Sequence, residues 1–413
     1  MKAAASPSLA RSTDFSGVGY AEAIERARAL VPALRSRAAR AEEERSMPAD
    51  TEAELHRAGL LRFCQPKRWG GMELDYVALF DIPAELGRGC ASTAWNAANL
   101  GIHHWMLALY DERAQAEVWG ENPDALIASG IAYPQGGARR VDGGLVISGH
   151  WNFSSGVDGS QWNMLAVMVR EGTGKDGSAV VVDHCMCLVP RGDFEIVDDW
   201  HVLGMRSTGS KSVRAKDLFV PAHRALSMYL ARGGDGFPGA RSNPNPHYRV
   251  PLSGLGSHCI AGAAVGNALG ALELTLDAVR DRSTNYTAAR MRDFQAVQLR
   301  VAAAGARADA ARLIVRHDCL EAQAIAESGR APTLEEKLRF KRNVAYAVQL
   351  CTEAVDNLHA MAGARGIYDA YPIQRLFRDA HALMGHIGFS WDAQGAPWGQ
   401  VALGGEYDAP PTL

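Results

Sequence analysis

Residues 148–158 read SGHWNFSSGVD and come directly after VDGGLVI at 141–147. An Asp-Gly step between apolar runs marks a hairpin, and the apolar positions after it continue as a strand. That strand ends in Ser154, Ser155 and Gly156, which are ordinary turn residues. The simplest reading of Trp151, Phe153, Ser154 and Ser155 is therefore a half-buried strand entering a turn.

Around this stretch the β pattern extends from Ala125 to about Arg224, through RRVDGGLVISGHW, NMLAVMVRE, AVVVDHCMCLVPRGDFEIVDDW and SVRAKDLFVPAHR. Short strands in series with Gly, Asp and Pro between them predict a compact barrel or sandwich. Helical periodicity lies on both sides. YAEAIERARALVPALRSRAARAEEERSMP repeats Ala, Ile and Leu at three- and four-residue spacings, and shorter runs follow in PADTEAELHRAGL, DYVALFDIPAELGRG and ASTAWNAANLGIHHWMLALY. After Pro251 four long amphipathic runs predict a bundle. The expected organisation is a loose tail over 1–19, a helical domain over 20–124, a β domain over 125–235, a four-helix bundle over 236–395 and a C-terminal tail over 396–413.

The chain of 413 residues has a formal net charge of -3 and no basic block, which points away from nucleic acid. Seven cysteines without a C-x-x-C pair argue against a disulfide framework or a zinc knuckle and fit a reducing cytoplasm. No signal peptide is read at the N-terminus, and no stretch reaches the roughly 18 apolar residues of a membrane span. GGDGFPG, 233–239, matches G-x-G-x-x-G only formally, since no strand leads into it and Pro238 blocks the helix. There is no P-loop, G-x-S-x-G elbow or H-E-x-x-H. His103 and His104 are adjacent, so on a helix they diverge by about 100° and no metal site is expected.

The helix, β, helix-bundle order, with WNFSSG, FQAVQLRVA and YPIQRLFRDAHALMGH, resembles the acyl-CoA dehydrogenase fold, an α+β class. Within it the chain is similar to the flavin-dependent oxygenase components of two-component aromatic hydroxylases, from about Val31 to Trp391. Further echoes are LLRFCQPKRWGG, CASTAW, PRGDFEIVDDW and RSTGSK. The glutamate of true acyl-CoA dehydrogenases is missing. RDAHALMGHIG has Ile387 at that point and His386 beside it, so thioester dehydrogenation lacks its base.

The resemblance implies that reduced FAD or FMN, supplied by a separate NAD(P)H-dependent flavin reductase, reacts with O2 to a C4a-hydroperoxide that hydroxylates an aromatic ring. It implies that Ser155 hydrogen-bonds flavin N5, that Phe153 lies flat on the ring system, and that Ser129 stands near flavin and substrate. Trp95 would wall the pocket. His103 would contact substrate, and His386 would bind or deprotonate a phenol. Arg249 would favour the anionic reduced flavin, and Arg282 would reach its phosphate across a homotetramer contact. His104 and His381 are the competing structural histidines. Phe389 and Trp391, with Met384 and Trp398, suggest a bulky arene such as an indole or a polycyclic phenol. Open alternatives are N- or S-oxygenation on the same fold, an acyl-CoA dehydrogenase with a relocated base, and a flavin-binding scaffold without catalysis.

Overall fold

In a computed structural model describing residues 13–173, 179–284 and 287–413, the first helices are α1 (Tyr20–Glu44), α2 (Ala49–Ala58), α3 (Ala78–Gly87), α4 (Ala91–Leu107) and the single turn α5 (Glu112–Gln115). In α1 the buried face is Ala23, Ala27, Val31, Leu34, Ala38 and Ala41, the three- and four-residue spacing of one helical stripe. Every residue of α3 is buried, because it lies between α1 and the C-terminal bundle. The chain before α1 is more ordered than a loose tail. Phe15 is 3 % exposed and its amide donates to the Gly70 carbonyl, so residues 13–19 are anchored by an apolar side chain. The rest of that expected tail lies outside the described residues.

Among the described residues eight strands form one sheet: β1 (Ile127–Gly130), β2 (Gly136–Val141), β3 (Gly144–Ser154), β4 (Trp162–Glu171), β5 (Val180–Pro190), β6 (Glu195–Val197), β7 (Lys211–Pro221) and β8 (Ala225–Ser227). Their order is β6-β7-β3-β2-β4-β5-β8, with β1 parallel to β4. Asp142 and Gly143 close the β2–β3 hairpin, where Gly143 adopts a φ of 76° that a side chain would resist. β5 and β7 also approach each other, so the sheet is rolled around a core of its own that includes Trp151, Val167, Cys187 and Val213. β6 and β8 end the strand order, and β1 likewise pairs a single neighbour, β4.

The C-terminal helices are α6 (Leu252–Arg280), α7 (Gln295–Glu327), α8 (Leu334–Ala362), α9 (Ile373–Met384) and α10 (Trp391–Ala402). α6 is long and apolar enough to cross a membrane, but 72 % of that apolar window is buried within this chain, as befits the central helix of a bundle. Its glycines allow close approach to α3. A Cβ placed on Gly266 would stand 2.5 Å from the Ala84 carbonyl oxygen and 2.6 Å from Gly87 Cα. α10 runs through the expected tail boundary at 396, because Trp398 is held under the Arg342 guanidinium, 4.0 Å from its ring centre.

Candidate functional site

The end of β3 is irregular. A register shift between Trp151 and Ser154 coincides with a φ of 67° at Phe153, a left-handed backbone that is uncommon for a bulky residue. The kink separates the two aromatics of WNF. Trp151 is fully buried and donates from Nε1 to the Ala166 carbonyl at 2.6 Å, while Phe153 is 67 % exposed and meets Trp200 edge-on at 6.1 Å. An exposed ring held in strained backbone is a ready platform for a flat ligand. Gly156, φ 70°, completes the turn and donates to the Thr208 carbonyl.

Ser155 is 7 % exposed and sits in a directed chain of hydroxyls. Thr208 Oγ1 lies 2.9 Å from the Met205 carbonyl and 2.7 Å from Ser210 Oγ, which in turn lies 2.8 Å from Ser155 Oγ. A carbonyl only accepts, so Thr208 donates to Met205, Ser210 to Thr208 and Ser155 to Ser210. Trp95 Nε1 donates into Ser155 Oγ at 2.9 Å. The Ser155 proton is thus committed and one of its lone pairs is filled. What remains is one acceptor position, suited to an incoming N–H.

Trp95 also stands edge-on to His386, with ring centres 5.5 Å apart, and so joins the β-domain hydroxyls to the end of α9. The half-buried His386 accepts the Gly388 amide at Nδ1, 3.1 Å, which leaves its neutral ring with the proton on Nε2. His103 is in the opposite tautomer. Its Nδ1 donates to the Ile127 carbonyl at 2.6 Å, so Nε2 carries the free lone pair, and that atom is not among the buried groups without a partner. Burial pushes both rings down to about 4, partly countered at His103 by the Ile127 hydrogen bond, so both are neutral near pH 7. Ser129, 7 % exposed, lies on β1 two residues beyond Ile127, whose carbonyl accepts from His103.

The other expected residues do not all converge here. Phe389, expected at the substrate, is 1 % exposed and packs against His386, with ring centres 5.4 Å apart. Trp391 is 44 % exposed and leans on Tyr346. Arg249 is engaged by Asp235 and by the Pro244 carbonyl, which offsets the charge expected to act on a flavin. Arg282 lies just beyond α6 with no ion-pair partner among the described residues. His104 is fully buried, stacked on Trp119 and accepting its Nε1–H at 3.0 Å, whereas His381 pairs with Asp356 at 2.8 Å. Both are structural. Ser210, Thr208 and Trp200 enter the site without having been singled out, although RSTGSK and PRGDFEIVDDW contain them. Two surface depressions, of about 650 and 690 Å³, lie elsewhere, against α1 and on the outer face of the sheet.

The acceptor left on Ser155, the exposed Phe153 ring and the neutral histidines fit a planar cofactor that presents an N–H, together with an arene. Family models agree on the scaffold: an acyl-CoA dehydrogenase N-terminal domain matches residues 22–121 and an acyl-CoA dehydrogenase C-terminal domain matches 258–391. The chain is 37 % identical over 392 residues to the oxygenase component of FADH(2)-dependent resorcinol hydroxylase from Rhizobium sp. (strain MTP-10005), covering 92 % of this chain and 94 % of that one. It is 30 % identical over 409 residues to the oxygenase component of p-hydroxyphenylacetate 3-hydroxylase from Acinetobacter baumannii, covering 98 % and 93 %. The crystal structure of 3-HSA hydroxylase from Rhodococcus sp. RHA1 superposes with a TM-score of 0.88 at 32 % identity, covering 95 % of this chain and 99 % of that one.

Proposed function

The chain belongs to the flavin-dependent oxygenase components of two-component aromatic hydroxylases, built on the acyl-CoA dehydrogenase fold, and from that premise we propose how its residues divide the work. Reduced flavin, when bound, activates dioxygen and delivers one oxygen atom to an electron-rich ring. The chain must hold that flavin, keep water out and manage the phenol proton.

Ser155 would hold the flavin at N5 through its one free acceptor position, and the Thr208–Ser210 chain orients that position in advance. Phe153 and Trp95 would flank the ring system. His103 Nε2 is the base that takes the phenol proton, because its lone pair is free whereas that of His386 is taken up by the Gly388 amide. His386 donates from Nε2 to the same oxygen or its anion and holds the ring in place. The opposite tautomers of these histidines carry this reading. Both the binding of reduced FAD or FMN and the need for a separate NAD(P)H-dependent reductase follow from it. Seven free, buried cysteines support a cytoplasmic setting.

Leu299, Leu313 and Leu320 on α7 are 63 %, 69 % and 43 % exposed at multiples of seven residues, a stripe suited to further copies of the chain in a homotetramer. Leu313→Glu is expected to lower the mass seen by sedimentation, and an unchanged mass removes the α7 contact. The hydroxylase reading is tested by adding chemically reduced FAD or FMN and a panel of phenols, then oxygen. A hydroxylated product with one atom from O2 is expected. Hydrogen peroxide as the sole product with every arene overturns it.

A further inference from the structure

Met205 is held in a conformation that few side chains accept. It stands between β6 and β7, buried, with φ 56° and ψ 29°, the left-handed region that glycine fills without cost. Such a residue persists only where its surroundings over-determine it, and residues of this kind collect at working sites. Here its polar atoms are all engaged. The carbonyl accepts Thr208 Oγ1 at 2.9 Å, the Thr208 amide at 3.2 Å and Trp200 Nε1 at 3.4 Å, and the sulfur lies 3.9 Å from Ser92 Oγ. The amide donates to Asp379 Oδ1 at 2.6 Å.

Asp379 is a costly choice for that last contact. It is buried in α9, and among the described residues it makes no ion pair, since the neighbouring Arg378 is engaged by Glu42 and the Leu203 carbonyl. A buried carboxyl without a cation is expensive. Burial pushes it up to about 6, against the pull of the Met205 amide and the charge of Arg375. An apolar side chain would fill the place at less cost, so what the acid adds is an acceptor for one amide. The backbones meet here as well: a Cβ on Gly204 would stand 2.3 Å from the Arg378 carbonyl oxygen, so no side chain separates this loop from α9.

The Met205 carbonyl is the end from which the hydroxyls of Thr208, Ser210 and Ser155 take their direction. A Met205 relaxed to the right-handed region would turn that carbonyl away from Thr208, and Ser155 could then donate as readily as accept. We propose that Asp379 is a positioning residue: by pinning the Met205 amide it fixes the direction of the hydroxyl chain and keeps Ser155 an acceptor toward the flavin. The helix that supplies the pin ends at Met384, and His386 stands just beyond it, so one rigid element registers the Ser155 side of the site against the His386 side. This rests on the reading of Ser155 as the group that holds flavin N5.

Reduced flavin presents an N–H at N5 and oxidised flavin a lone pair. The ratio of the two affinities, from anaerobic equilibrium titrations with reduced and with oxidised FAD, therefore reads the direction of the Ser155 proton without turnover. D379L, which fills the space but lacks an acceptor, is expected to lower the preference for reduced FAD about tenfold, the loss of one hydrogen bond. T208V should lower it equally, and the double variant no further, because both break one chain. D379N keeps an oxygen at the Met205 amide and should keep the wild-type ratio. Should D379L not fold, D379E, whose carboxylate is displaced by a methylene, takes its place with the same expectation. A ratio unchanged while both affinities fall, additive losses in the double variant, or a D379N ratio as low as that of D379L overturns the inference and leaves Asp379 a structural acid. S155A separates the two readings. A ratio unchanged in S155A removes Ser155 from the flavin and the inference with it, whereas a ratio lowered by S155A but not by D379L or T208V overturns the inference alone.

Discussion

Two buried polar regions of this molecule are built on opposite rules. At the α1–α3–α7 contact, Glu85 has a side chain 1 % exposed and both of its oxygens are taken, one by Arg28 and Arg312 and the other by Arg88. Around Ser155, His103 and His386 each group keeps one position free. Saturated polar clusters hold helices together, while unsaturated ones are poised for something absent from the chain.

The sharpest way to break this contrast is to remove the spare lone pair. His103→Gln is expected to slow phenol hydroxylation by roughly 10²–10⁴-fold in single-turnover kinetics. A wild-type acid limb near pH 4, well below the ordinary histidine value, should accompany it, because only below that value is Nε2 protonated. The same depressed value means that the stability contributed by a neutral His103 is present above about pH 6.5 and is lost as pH falls through about 4. An acid limb at 6.5, or a fully active variant, would assign the proton to another group.

Removing a saturated acid should cost stability and spare chemistry. Glu85→Ala is expected to lower unfolding free energy in urea by about 3 kcal/mol, the low end for a broken buried pair, since the abandoned arginines reach water. Burial pushes the Glu85 carboxyl up, yet hydrogen bonds from Arg28 and Arg88 and the charge of Arg312 outweigh it and hold it below the usual range. Its contribution is therefore present above the ordinary carboxylate value and lost as pH falls through the lowered one.

Asp379 lies between the two regimes. It is 4 % exposed, accepts the Met205 amide at 2.6 Å, and burial raises its carboxyl to about 6. Stability favouring its protonated form is complete below about 3.9 and lost as pH rises through 6, so Asp379→Asn should gain on the order of 2 kcal/mol at pH 8 and little at pH 4. Flat Tm differences across that range would refute the assignment. The smallest effect is reserved for Ser155→Ala. Loss of one hydrogen bond predicts a tenfold or so drop in the fraction of oxygen reaching product instead of hydrogen peroxide; unchanged coupling would sever Ser155 from the flavin.

Periodicity carried most of the architecture, because the buried stripe of α1 and the hairpin at Asp142–Gly143 are local patterns. Ser155 was legible as the hydroxyl closing a strand, and His103 and His386 through motif resemblance. What escaped was relational. Nothing in RSTGSK says that Ser210 will take the Ser155 proton, and no spacing distinguishes a histidine whose Nδ1 donates from one whose Nδ1 accepts. Phe389 was read as a substrate contact from its aromatic neighbourhood, yet the 387–389 turn folds it into the core. A tail was expected from 396, yet α10 continues to Ala402, its packing on α8 overriding the poor helix propensity of Pro397 and Gly399.

The backbone contact between Gly87 and Gly266 also bears on how such an enzyme can diverge. No side chain can be inserted there without prising α3 from α6, and α4, which carries Trp95 and His103, rests on both. One wall of the chamber is therefore closed to innovation. Any drift toward wider or differently charged arenes has to accumulate where side chains, and not touching backbones, line the chamber.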